Sequence, residues 1–287
     1  VEDGLDPEGR VGRVLRRRAP EARGARLRTI LRRAGFLLGF LVGGLWFFVC
    51  SAVGLVALVL TRGSRDTVYQ FARWFCGGVV RLMGWRIEVD HEKLNASRPD
   101  VFVSNHQSIM DVLVFGAIVP RRTVAIGKVE LARIPLFGWF FVRSGNLVID
   151  RGNSDAARKM LAAAGKRLQA EGLSVWVTPE GHRNDSGELL AFKTGAFRLA
   201  ATARVPIVPV VAERLEAVVD TKRLLARRGR LRISVLAPVP PLEAAEAESE
   251  EAIRAQAAAV RAAMQAEFER LTADSRSLKA ESSSSSP

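Results

Sequence analysis

The segment Ser104-Asn105-His106-Gln107-Ser108-Ile109-Met110-Asp111 follows directly on the apolar run 101–103. On one continuous helix, residues five apart point about 140° away from each other, so His106 and Asp111 could not meet there. They can meet if His106 sits in the turn after a strand and Asp111 opens the next helix. The carboxylate would then hold the imidazole Nδ1, fix its tautomer and stabilise the imidazolium, leaving Nε2 to take a proton. That is the base and orienter of a triad, sufficient where the substrate brings its own hydroxyl. Taken alone, a histidine and an aspartate at this spacing are a weak signal, and a solvated loop histidine fits them too.

Three further segments carry chemistry. Thr178-Pro179-Glu180-Gly181-His182-Arg183-Asn184 follows the apolar run 173–177. Pro and Gly force a turn there, at a strand end, where α/β folds place their ligand sites. Glu180 and Arg183 are expected to project together, and Arg183 suits bidentate phosphate binding. A salt bridge on a surface turn reads the same residues equally well. In Ser144-Gly145-Asn146-Leu147-Val148-Ile149-Asp150-Arg151, Arg151 follows a buried strand and is a second candidate phosphate ligand. Val205-Pro206-Ile207-Val208-Pro209-Val210 is an apolar strand with two prolines, which belong on edges or bulges. It reads as one wall of an acyl groove or as plain packing. The cysteines, Cys50 and Cys76, form no Cys-x-x-Cys pair, and three histidines make no zinc spacing, so no metal site is expected.

The elements that must position these residues read as an α/β pattern. Strands are expected over 86–89, 101–104, 123–126, 146–149, 173–177, 206–211 and 231–236, with helices between several of them. The clearest helix covers 155–170 and ends at Gly172. The alternation predicts a three-layer sandwich around a mixed sheet of about seven strands, over 84–242. Residues 243–272 read as an Ala/Glu-rich helix and 273–287 as a disordered tail.

Ahead of this domain the composition changes. Residues 1–33 are Arg-rich, with Glu21 the sole acid between Arg10 and Arg33, and read as largely disordered. Phe36 to Leu60 is uncharged throughout, long enough to cross a bilayer, which takes about 20 residues. Arginines flank it, and the denser cluster precedes it, which keeps the N-terminus cytoplasmic. In 66–83, Val68, Phe71, Trp74, Phe75, Val79 and Leu82 fall at helical spacing. Residues 34–83 are therefore expected to form a membrane-associated helical hairpin, either spanning or dipping into one leaflet. The net charge of +13 calls for an anionic partner. Its placement beside an apolar run favours a lipid surface. A nucleic-acid module would interleave aromatics with the basic residues, and none is recognisable here.

The four chemical segments, in this order and spacing, resemble the four blocks of the glycerolipid acyltransferase family: N-H-x4-D, I-D-R, P-E-G-x-R and V-P-I-x-P-V. The stretches Ile126-Gly127-Lys128, Ile134-Pro135-Leu136-Phe137-Gly138 and Ala191-Phe192-Lys193-Thr194-Gly195-Ala196-Phe197 are similar to those of bacterial 1-acyl-glycerol-3-phosphate acyltransferases. The resemblance implies that His106 is the general base and Asp111 its orienter. It implies that Arg151, Glu180 and Arg183 bind the glycerol phosphate, that Lys128 reaches the same phosphate, and that Gly181 lets the backbone approach the substrate. It further implies esterification of lysophosphatidate by acyl-CoA or acyl-carrier protein as co-substrate, with no separate cofactor, at the inner membrane of a bacterium, the catalytic domain facing the cytoplasm. Thr178 stands where the family has Phe, and His182 and Asn184 where it has Thr and Ser around the arginine. These departures leave other acceptors open: glycerol-3-phosphate, another lysophospholipid or a lyso-ornithine lipid. A thioesterase using the same pair on water, and a non-enzymatic basic membrane protein, are rival readings.

Overall fold

The computed structural model describes residues 7–94, 99–150, 152, 154–184, 186–220, 223, 225–243 and 246–284. Its centre is a seven-stranded mixed sheet of spatial order β1-β9-β6-β2-β5-β3-β4. The strands are β1 (Trp85–Val89), β2 (Val101–Ser104), β3 (Thr123–Lys128), β4 (Leu147–Ile149), β5 (Ser174–Val177), β6 (Ile207–Ala212) and β9 (Gly229–Val235). Each lies within two residues of its expected span. All neighbouring pairs run parallel except β6 with β9. A separate two-stranded ribbon, β7 (Val219–Asp220) with β8 (Leu225–Ala226), was not legible in the sequence.

Strand residues alternate between the sheet's two faces. In β2, Phe102 joins one apolar cluster, and Val101 and Val103 join the other. The first cluster packs under α1 (Pro7–Leu60), α2 (Arg65–Leu82), α4 (Asp111–Ile118) and α5 (Phe137–Arg143). The second packs under α6 (Ser154–Glu171), α7 (Gly195–Ala203) and α8 (Glu250–Ser284). A short helix, α3 (His91–Leu94), follows β1. Three layers result, as expected. β2 is buried along its whole length, as suits a parallel strand covered on both faces.

Three expectations are corrected. Helix α1 begins at Pro7, so 7–33 is helical rather than largely disordered. Its Arg, Leu, Ala and Glu are strong helix formers, and they outweigh the scattered glycines and Pro20. Helix α8 begins at Glu250 rather than near 243 and continues to Ser284. Tertiary contacts extend it, since Arg232 reaches the Leu271 carbonyl (2.7 Å), Asp274 (3.5 Å) and Ser275 (2.7 Å). The proline-containing strand β6 is central rather than an edge, and its six residues are buried. Pairing with β9 starts at Val210, one residue beyond Pro209, whose carbonyl still accepts from the Leu236 N–H at 2.9 Å. Its side chains fill the two cores, which decides for packing over an acyl-groove wall. Of the expected membrane-associated pair, one helix among the described residues is long and apolar enough to cross a membrane, over Ile30–Leu60.

After α1 the chain turns through Gly63, at φ +83°, and α2 runs back along it. Trp46 meets Trp74 edge-on at 4.7 Å between ring centroids, and Phe47 meets Phe75 at 5.3 Å. Helix α2 in turn carries α4. The Arg73 guanidinium caps the end of α4 by donating to the Ala117 carbonyl at 2.6 Å. Gly116 is needed at this crossing, because a Cβ there would stand 2.4 Å from Cys76 Sγ.

The outer face of this first layer is apolar. Leu41 and Leu45 on α1 are 70% and 68% exposed. Ile109, Val112, Trp139 and Val142 continue the same character beside α4 and α5. Among the described residues, Leu190 is the one large exposed hydrophobic side chain away from this layer.

Candidate active site

Strands β2 and β5 are parallel neighbours with Val103 opposite Val177, so the loops leaving their C-terminal ends must meet. The first carries Asn105 and His106; the second is the turn Thr178–Gly181. The His106 N–H donates to Glu180 Oε1 at 2.8 Å, and the Asn184 N–H donates to the His106 carbonyl at 2.8 Å. On the other side, Asn105 exchanges two hydrogen bonds with the backbone of Ala212 at the end of β6, at 2.9 and 3.0 Å. Gln107 adds bonds from its side-chain amide to the carbonyls of Ala212 and Glu213, at 3.2 and 3.1 Å. The histidine loop is thus tied to both neighbouring strands.

Asp111 is the first residue of α4 and is buried. Its Oδ2 accepts from the backbone N–H of Gln107 (2.6 Å) and Ser108 (2.9 Å) and lies 2.8 Å from His106 Nδ1. A carboxylate oxygen accepts, so Nδ1 is the donor and Nε2 keeps its lone pair. The imidazole is 16% exposed, open on one side to a substrate. The spacing of four intervening residues works as expected because the helix starts at the aspartate and not at the histidine.

Glu180 departs from expectation. It does not project with Arg183: it is buried, and its two oxygens accept from the backbone N–H of His106 and of Leu190 (3.0 Å). Its carboxylate therefore holds the backbone of the histidine loop and of Leu190. Burial pushes its carboxyl above the ordinary glutamate value of 4.5, while the two N–H donors pull the other way. Gly181 has φ +73°, which a side chain rarely adopts, and a Cβ there would also meet Lys193 Cε at 2.7 Å. Arg183 is exposed at the tip of the same turn. Lys128 ends β3 and pairs with Glu130 at 2.8 Å, the lysine about half exposed at 53%. Arg151 lies outside the described residues; the strand before it ends at Ile149, opposite Lys128.

Sequence and fold are shared with known proteins. Residues 86–213 match the family model Acyltransferase. The human 1-acyl-sn-glycerol-3-phosphate acyltransferase beta is 40% identical over 195 residues, 67% of this chain and 70% of that protein. The Haemophilus influenzae 1-acyl-sn-glycerol-3-phosphate acyltransferase is 36% identical over 174 residues, 60% and 71% of the two chains. The chain belongs to the 1-acyl-glycerol-3-phosphate acyltransferase family. The fold is also that of the crystal structure of the 1-acyl-sn-glycerophosphate (LPA) acyltransferase from Thermotoga maritima, with a TM-score of 0.61, 24% identity, and coverage of 80% of this chain and 95% of that one.

Within this acyltransferase the sequence reading passed over several residues. Asn105, Gln107 and Asn184 hold the His106 loop through contacts with backbone groups, and nothing in their spacing says which strand each one grips. Asn105 offered one signal: an amide beside a candidate base, at the end of a strand apolar on both faces, is placed to be buried and satisfied.

Proposed function

We propose that the chain transfers a fatty acyl group from a thioester to the sn-2 hydroxyl of 1-acyl-glycerol-3-phosphate, giving phosphatidate. His106 Nε2 takes the hydroxyl proton as the oxygen attacks the thioester carbonyl carbon. Asp111 steadies the imidazolium. The tetrahedral intermediate collapses with cleavage of the C–S bond, and the thiolate leaving takes the proton back from His106. No acyl-enzyme is needed, since the donor is already activated. The observation that carries this reading is the 2.8 Å contact of His106 Nδ1 with a buried Asp111 at the open edge of the sheet.

Arg183, Lys128 and Arg151 are read as the cations that meet the acceptor's phosphate. The support for Lys128 and Arg183 is their place at and just beyond the C-terminal ends of β3 and β5, which are neighbours in the sheet; Arg151 is grouped with them from its sequence position, two residues after β4. The helices α1 and α2 are read as a hairpin seated in the bilayer, with the catalytic domain on the cytoplasmic face. The apolar outer surface of the first layer supports this, as does the return of α2 along α1.

The test is a panel of acceptors given to the purified chain with both acyl-CoA and acyl-carrier protein, following thiol release and lipid product. Lysophosphatidate should be acylated fastest. Faster acylation of glycerol-3-phosphate, a lyso-ornithine lipid or another lysophospholipid would move the acceptor assignment. Thiol release with no acceptor present would make the chain a thioesterase.

A further inference from the structure

The layer of α6, α7 and α8 contains a cavity that the chemistry above does not use. Its volume is about 540 Å³, within the range of small-molecule sites. It lies directly behind the turn that carries Glu180. Thr178 and Gly181 line it together with Lys193, Thr194, Arg198 and Arg254, over an apolar floor from the strand ends and α6. Three cations thus face it against one carboxylate, Glu250, which is ion-paired with Arg198.

Lys193 is bound to the catalytic turn at two points. Its backbone N–H donates to the Pro179 carbonyl at 2.9 Å. Its side chain lies across Gly181, where a Cβ would come within 2.8 Å of the amine. Arg254 reaches the cavity from α8, an aqueous helix.

His106 sits where two layers of different character meet. Asp111, its partner, opens α4 in the layer whose outer face is apolar. The turn of Glu180, which holds its backbone, lines the cavity of the opposite layer. The cavity opens on the aqueous layer, its charged lining is mostly cationic, and it lies behind the turn that holds the His106 backbone.

We propose that this cavity receives the phosphate-bearing pantetheine arm of the acyl donor, with Lys193 and Arg254 meeting its phosphate. The inference rests on the acyl-transfer reading given above. The thioester then reaches His106 from the aqueous layer and the acceptor hydroxyl from the apolar one. Acyl-CoA and acyl-carrier protein present the same arm, and acyl-CoA carries additional phosphates.

The experiment compares the full-length wild type with Lys193→Gln and Arg254→Gln. It measures KM for acyl-CoA, for acyl-carrier protein and for lysophosphatidate in vesicles, and the binding of coenzyme A alone by calorimetry. Each variant should raise the donor KM and weaken coenzyme A by about tenfold, the effect of losing one charge-assisted contact, with the lysophosphatidate KM unmoved. A rise for acyl-CoA alone would assign the contact to the nucleotide phosphates; a rise for both donors would assign it to the shared arm. Unchanged donor KM and coenzyme A affinity would overturn the proposal, and so would a rise confined to lysophosphatidate. Arg254 is exposed on α8, so its variant reports even if Lys193→Gln fails to fold. Coenzyme A binding needs no turnover. A wild type that binds coenzyme A through Lys193 and Arg254 but acylates no lysophosphatidate would sink the earlier reading and leave this one standing.

Discussion

Two groups of polar residues sit at the same edge of the sheet and are held in opposite ways. Asn105, His106, Asp111 and Glu180 are locked. Three of them are buried, and their polar atoms meet backbone groups of neighbouring loops at 2.6–3.0 Å. Arg183, on the loop after β5, and Lys128, the last residue of β3, are instead exposed, and Lys128 pairs with Glu130 in solvent. The difference fits the tasks proposed for them. A general base must be oriented before the substrate arrives, and misplacement is costly to the chemical step. A cation that collects a phosphate from a lipid can move to meet it, and its interaction in water is weak until the ligand excludes that water.

On this contrast the locked group governs kcat and the exposed group governs KM. His106→Ala should have the largest effect, lowering turnover about 10²–10⁴-fold with an unchanged melting temperature. Retention of most activity would remove the base assignment. Asp111→Asn should come next. The amide can keep the loop hydrogen bonds but not the negative charge, so turnover should fall by about a hundredfold with little change in KM. Asn105→Ala strips both bonds to Ala212 inside the protein, and should cost about 2–3 kcal/mol in denaturant melts.

Glu180→Gln sharpens the comparison further. One of its two backbone contacts must be lost, because an amide nitrogen cannot accept, and turnover should fall about tenfold. The same variant changes the response to pH. A carboxyl raised by burial favours the protonated folded form, so its contribution is complete below 4.5 and lost as pH rises through the raised value. Thermal melts of the wild type should decline over that window relative to those of Glu180→Gln. Parallel curves would remove the group from the account. Arg183→Ala should have the smallest effect on chemistry. It should raise the lysophosphatidate KM by about tenfold or less and leave kcat within a few-fold. A collapse of kcat instead would place Arg183 with the locked group and end the contrast.

Much of this was legible without coordinates. The seven strands were legible to within two residues, because a strand buried on both faces is continuously apolar, as β2 and β6 are, and one buried on a single face alternates, as β1 and β9 do. The pairing of His106 with Asp111 followed from one local condition, a helix that starts at the aspartate and not at the histidine. Other features depended on neighbours far along the chain. Glu180 was grouped with Arg183 because they lie three apart on a turn. Turn spacing does not report which side chain points inward, and the answer came from the adjacency of β2 and β5.

The sequence by itself determined the strands, the apolar helix and the residues able to do chemistry, since each follows from composition and periodicity over a few neighbouring positions. Only the tertiary structure decided that β6 is central, that Glu180 serves the histidine loop, and that Lys193 lies over Gly181. Each of these depends on the order of strands in the sheet. That order is set by which apolar faces can be buried together across long separations in sequence, and no local pattern records it.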